Sequence, residues 1–195
     1  MGAGTLGRMR RWVLLLCVAV LVAACSGGGS DTLELIDAGD RDPAPQVTWE
    51  TLEGDELSLD DLDGPVIINF WASWCPPCVE EAPELAQLHE SYDGQAHLIG
   101  VNVRDSQANG LSFERANNIP FPSWYDPAGE IAADFGAIGP QGLPSTLLLD
   151  EDHNVALRLF GAVTFTQVAN YMEPLLAEAE GEPGEGEPGD VGVAR

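Results

Sequence analysis

The sequence predicts an α/β sandwich with a mixed central sheet, and three observations carry that prediction. Two nearly unbroken apolar runs, PVIINFW at 65–71 and HLIGVNV at 97–103, read as strands buried on both faces. Between them, Ala82, Leu85, Ala86, Leu88 and Tyr92 recur near a 3.6-residue spacing, so Glu80–Tyr92 reads as a helix and the three segments as a βαβ unit. Further on, Ser145–Leu149 and Val155–Phe160 flank the turn Asp150–Asn154 and read as a hairpin.

The remaining elements fit around this frame. Gln46–Leu52 alternates as an edge strand would, Gly54-Asp55 marks a turn, and Glu56–Leu59 returns as its hairpin partner. Residues 107–118 have a weak helical pattern. Pro127–Phe135 reads as a short helix with Asp126 as N-cap and Pro127 in its first position. Thr164 with Gln167 three residues later opens a last helix to about Ala179, which Pro174 is expected to kink or shorten. The domain expected from these elements spans 44–178, with a polar tether at 25–43 before it. The Gly/Pro-rich acidic stretch 179–195 is expected to be disordered.

The charge is lopsided: 32 acidic residues face 8 basic ones. All eight are arginines, three of them at positions 8, 10 and 11. Phosphate binding needs clustered cations, so nucleic acid is excluded as a partner. Anionic lipid would repel the same surface, so membrane attachment has to come from something other than a basic patch. The first 25 residues read as supplying one, the alternative being an ordinary secreted signal peptide with an incidental Cys25. Arg8, Arg10 and Arg11 precede the apolar run Trp12–Val22, which has the length of a signal h-region and is short for a spanning helix. Val22-Ala23-Ala24-Cys25 resembles a bacterial lipobox, which makes 1–24 a lipoprotein signal peptide and Cys25 the lipidated first residue. Two acyl chains give an anchoring that one chain does not.

With Cys17 in the h-region and Cys25 committed to lipid, Cys75 and Cys78 of the stretch FWASWCPPCVEEAP are left. A zinc site needs three or four ligands, and His89, His97 and His153 are scattered, so no metal is expected. A structural disulfide across two residues constrains the unfolded chain little. A redox pair is the best reading, in a compartment where disulfides persist. Placed at a helix start, Cys75 lies among the free N–H groups of the first turn, which stabilise a thiolate. Pro76 and Pro77 stiffen the loop and lack N–H groups that a helix start does not need.

FWASWCPPC, with Pro83 five residues after the second Cys and GLPST at 142–146, resembles the thioredoxin superfamily over about residues 44–178. NFWASWCPPCVEEAPEL and the preceding LSLDDLDGPVIIN are similar to its membrane-anchored TlpA/ResA-type members, relatives of the CcmG/DsbE cytochrome c maturation proteins. The resemblance implies a three-layer sandwich with an N-terminal β-hairpin and an insertion before the cis-Pro hairpin. It implies a cis peptide before Pro144, with the backbone of Leu143 offered to a bound substrate chain, and Trp74 beside the thiol pair. Glu81 matches a carboxylate that ResA-like proteins hold near the site, able to relay a proton; the first turn of a helix also favours acids for its dipole alone. Asn69 stands where cytoplasmic thioredoxins have a buried Asp, and AIGPQGLP at 137–144 is longer than the usual link into the Pro. The implied activity is thiol–disulfide exchange without a cofactor on the outer face of the bacterial cytoplasmic membrane. The protein would be a lipid-anchored monomer that reduces exported protein disulfides and draws electrons from a CcdA/DsbD-type membrane protein. A disulfide-forming oxidase uses the same chemistry. A thiol peroxidase is disfavoured, because Ala72 stands where that pattern has a Thr. A binding or chaperone module would leave the pair unused.

Overall fold

Strand β3 (Val66–Trp71) is the spine of the molecule, and all six of its residues are buried. The computed structural model describes residues 35–181; the expected signal segment, Cys25 and the tail beyond 181 lie outside them. On one side, β3 pairs in parallel with β4 (His97–Val103). On the other, it pairs antiparallel with β6 (Ser145–Leu149), which continues as a hairpin into β7 (Val155–Phe160). Strand β5 (Ser123–Asp126) adds in parallel to β4, so the mixed five-stranded sheet runs β5-β4-β3-β6-β7. The early segment forms a separate two-stranded hairpin, β1 (Thr48–Glu50) with β2 (Glu56–Ser58).

Side-chain alternation along β3 divides the core. Ile67 faces helices α1 (Pro76–Ser91) and α4 (Phe165–Ala179), meeting Leu85, Leu88, Val168 and Met172. Ile68 and Phe70 face the other way, towards Val47, Leu59 and the short helix α3 (Glu130–Asp134) with Ile131 and Phe135. Phe70 and Phe135 meet edge to face, with ring centroids 5.5 Å apart. Helix α2 (Gln107–Asn117) sends Phe113 to a third, smaller cluster with Trp71, Cys75, Cys78 and Ala82. The three layers are therefore α1 and α4, the sheet, and α3 with the hairpin segment.

Four elements differ from their expected form. Helix α1 begins at Pro76 rather than Glu80, since two prolines in its first positions supply the right φ at no hydrogen-bond cost. Strand β5 has no sequence signal of its own: it is four residues long and follows Pro120 and Pro122. Helix α3 starts at Glu130, not Pro127, and its N-cap is Gly129 rather than Asp126, although the Asp126 carboxylate still reaches its first turn, accepting from the N–H groups of Glu130 at 2.6 Å and Ala132 at 3.1 Å. Pro174 does not shorten α4, which continues to Ala179. Leu175, beyond the proline, is buried with Val168 and Met172, and that burial offsets the lost bond.

The edges of the sheet are both occupied. The hairpin lies against β5: Thr51 bridges Trp124, and two indoles lock the contact, Trp49 Nε1 donating to the Tyr125 carbonyl and Trp124 Nε1 to that of Leu57. At the opposite edge, Ile36 N–H donates to the Ala156 carbonyl and Val155 N–H to that of Asp42. Ordered structure thus begins upstream of Ala44. Arg41 fixes this segment, its guanidinium donating to Asp150 at 3.1 Å and Glu178 at 2.8 Å.

Candidate active site

Cys75 and Cys78 are joined as a disulfide with Cα atoms 5.3 Å apart. Cys75 is the N-cap of α1, and its Sγ accepts from the Cys78 N–H at 3.3 Å. This puts one sulfur at the positive end of the helix, where the reduced form would hold a thiolate. Cys78 is one turn in, 2% exposed against 3% for Cys75. Pro76 and Pro77 form the solvent-facing cap between them.

The loop that delivers Cys75 hangs on a carboxylate. Asp105, just past β4, accepts from the N–H of Ser73 at 2.7 Å, of Ser106 at 2.8 Å, and from Asn102 Nδ2 at 3.3 Å. Burial opposes its ionisation, but these donors and the Ser73 hydroxyl outweigh burial and hold the carboxyl below its usual pKa. Trp74 lies out on the surface, 59% exposed, with its indole N–H donating to the Arg104 carbonyl at 3.1 Å. Trp71 is core, stacked on Phe113 at 4.5 Å. Its Nε1 donates to Ser123 Oγ at 3.3 Å, an arrangement that requires Gly100, because a Cβ there would collide with both groups.

Glu81 lies on the inner side of α1, 1% exposed. Oε1 accepts from Asn69 Nδ2 at 2.9 Å, and Oε2 accepts from the Val163 N–H at 3.0 Å. Burial pushes its carboxyl up to about 7 in spite of these donors. Asn69 also donates to Thr146 Oγ1 at 3.1 Å, while its Oδ1 has no partner. Asn69 and Cys78 together line a cavity of about 10 Å³, the size of one water, with Phe121 among its other walls. Asn69 thus touches both the carboxyl and the space beside the inner cysteine. Glu80, by contrast, faces solvent.

The Leu143–Pro144 peptide is cis. Leu143 packs against the cluster that contains both cysteines. The loop before it, Pro140 to Gly142, borders a cleft of about 430 Å³ shared with Trp74 and Arg104. The structure therefore gathers Trp74, Cys75, Cys78, Leu143 and Pro144 at one end of the sheet, with Glu81 beneath. Among the described residues no His, Cys, Asp and Glu side chains cluster as a metal site.

Sequence reasoning missed three contributors. Asp105 anchors the loop, Arg104 edges the cleft, and Phe160, 56% exposed, ends β7 opposite Ser145 and so adjoins Pro144. An acid two residues after a buried strand was the available signal for Asp105. Phe160 carries none, since an aromatic at a strand end is ordinarily read as core.

A family model described as AhpC/TSA family matches residues 41–158. The thiol–disulfide oxidoreductase ResA of Bacillus cereus is 30% identical over 165 residues, covering 84% of this chain and 92% of that protein. The crystal structure of a DsbF homologue from Corynebacterium diphtheriae superposes with a TM-score of 0.69 at 32% identity, covering 75% of this chain and 95% of the other. A secreted thiol-disulfide isomerase from Corynebacterium glutamicum gives a TM-score of 0.70 at 30% identity, over 77% and 95% of the two chains.

Proposed function

The chain belongs to the AhpC/TSA family of thioredoxin-like proteins and is a thiol–disulfide oxidoreductase of the ResA type, and from that premise we propose that it works as an extracytoplasmic reductase of exported protein disulfides. The observation that carries the reading is the Cys75–Cys78 disulfide across the first turn of a helix, with the outer sulfur as its N-cap. In the reduced enzyme the Cys75 thiolate attacks one sulfur of a substrate disulfide, and that S–S bond breaks to give a mixed disulfide and a free substrate thiolate. Cys78 then attacks Cys75 Sγ and releases the second substrate thiolate. The substrate has gained two electrons and two protons, and the enzyme pair has lost them.

The surrounding residues take supporting roles in this proposal. Glu81, buried and titrating near neutral pH, accepts the proton that Cys78 gives up before attack. Leu143 offers its backbone to the substrate chain beside Pro144. Trp74 and Phe160 supply exposed apolar contact for a polypeptide. Reduction of the oxidised pair needs a dithiol donor, assigned to a CcdA/DsbD-type membrane protein. The enzyme is proposed to act as a monomer held by lipid on Cys25 at the outer face of the cytoplasmic membrane.

The reduction potential of the pair, measured by equilibration with glutathione or dithiothreitol, tests the direction. A value near that of thioredoxin, about −270 mV, or below it supports a reductase; a value near −120 mV turns the reading into that of a disulfide-forming oxidase. The family match keeps one other chemistry in view, peroxide reduction. Ala72 in place of a Thr weighs against it, and a peroxide-consumption assay is expected to give no turnover. Cys75→Ser is expected to abolish disulfide exchange, and retained function in that variant would leave only a binding module.

A further inference from the structure

The cleft beside the disulfide has an unusual charge for this chain. Thirty-two acidic residues outnumber the basic ones four to one, yet among the ten residues that line the cleft none is acidic and one, Arg104, is a cation. The rest are small, apolar or neutral, apart from Trp74 at the rim and Gln141 in the loop before Leu143.

Arg104 is held in place but left unpaired. Its backbone is in the left-handed region, φ 52°, fixed by its N–H to the Asp126 carbonyl at 2.9 Å and by its own carbonyl accepting from the Trp74 indole. Its side chain lies across Gly129, where a Cβ would come within 3.1 Å of Nε. The carboxylates nearest in the chain and across the sheet are committed elsewhere: Asp105 to Ser73, Asn102 and Ser106, and Asp126 to the N-terminus of α3. Among the described residues only Arg41 forms an ion pair. Arg115 and Arg158 donate to Ser112 Oγ and the Ala137 carbonyl, while Arg104 is exposed and its guanidinium has no acceptor among the described residues.

We propose that Arg104 is a specificity residue that pairs with a carboxylate on the substrate, so that the preferred substrates carry an acidic side chain close to the disulfide in sequence. The inference rests on the exchange reaction proposed above and names its substrate class. A guanidinium on the cleft that Trp74 and Leu143 also line, with no acceptor among the described residues, gains most from an acceptor that arrives with the substrate. A protein this acidic repels acidic chains at long range, so an acidic substrate needs such a local contact to be preferred.

The test uses two mixed-disulfide peptides, identical except for Glu or Gln two residues from the cysteine. The reading is the ratio of their kcat/KM values within each enzyme, which cancels any loss of folded protein. The acidic-to-neutral ratio is expected to fall about three-fold from the parent to Arg104→Gln, an amount typical of an exposed ion pair, and further in Arg104→Glu. Arg104→Lys should keep most of it, and added salt should erode it in the parent. An unchanged ratio across Arg104→Gln and Arg104→Glu would overturn the inference while the exchange reaction stood. Absence of exchange with both peptides would overturn both together.

Discussion

Two buried carboxylates flank the disulfide and behave in opposite ways. Asp105 holds the loop that carries Cys75; Glu81 lies under the inner turn that carries Cys78. Both have lost nearly all contact with solvent, yet burial is overcome at one and wins at the other. The difference lies in the donors and in the depth of burial, Asp105 keeping 9% exposure against 1% at Glu81. Asp105 receives two backbone N–H groups, the Asn102 amide and the Ser73 hydroxyl, and stays ionised. Glu81 receives one backbone N–H and one amide, and its carboxyl rises to about 7. Two more donors and a shallower position separate a fixed strut from a group able to exchange a proton.

Breaking the strut should have the largest effect. Asp105→Ala removes a buried charge and leaves the N–H groups of Ser73 and Ser106 without acceptors, a loss of about 4 kcal/mol. The melting temperature should fall by roughly 10 °C in calorimetry. Asp105 contributes stability that is present above its unfolded pKa and is lost as pH falls through its lower folded value. The deficit of the Asp105→Ala variant should therefore narrow in strong acid.

Glu81 has the opposite sign. Its folded pKa is raised, so the folded state binds the proton more tightly, and stability falls as pH rises from about 4.5 to about 7 and then levels off. Glu81→Gln should flatten that slope and raise stability at pH 8 by up to about 3 kcal/mol in urea unfolding. The unpartnered Oδ1 of Asn69 can turn to accept from the new amide. The same variant should slow exchange and lose the inflection near pH 7 in the rate profile, and an inflection that survives would remove Glu81 from proton transfer.

Glu114 sharpens the comparison with a smaller effect. It is also buried and pushed up to about 7 by burial, with a hydrogen bond to Ser123 and the charge of Arg115 pulling the other way and Glu53 adding to the rise. Its Oε1 has no partner. Glu114→Gln should stabilise the protein at pH 8 by about 1 kcal/mol, less than Glu81→Gln although both carboxyls rise to about 7, because an amide in place of the unpartnered Oε1 is buried without a hydrogen bond of its own. It should leave the pH profile of exchange unmoved. A shifted profile would mean that the titration near neutral pH belongs to Glu114 and not to Glu81.

Legibility in the sequence tracked local signals. Strands β3, β4, β6 and β7 were legible almost to the residue because each is a buried run bounded by turn residues, and the two cysteines because nothing else in the domain competes for them. Strand β5 was not: Ser123 and Asp126 are polar, and their burial depends on Trp71 and on the α3 N-terminus, which only the fold supplies. The strut was hidden for the same reason. Asp105 and Ser73 are 32 residues apart, and an aspartate after a strand looks like any loop acid until β3 and β4 run side by side.

The segments that occupy the two borders of the sheet have a further consequence. An open strand border is a template on which another chain can add, and acidic surface charge alone does not remove its hydrogen-bonding groups. Here the hairpin at β5 and the stretch around Ile36–Asp42 at β7 occupy part of each border from within the chain. Both come from residues that precede β3, so a fragment that began at Val66 would keep the disulfide helix and expose both borders. Such a fragment should aggregate, whatever its net charge.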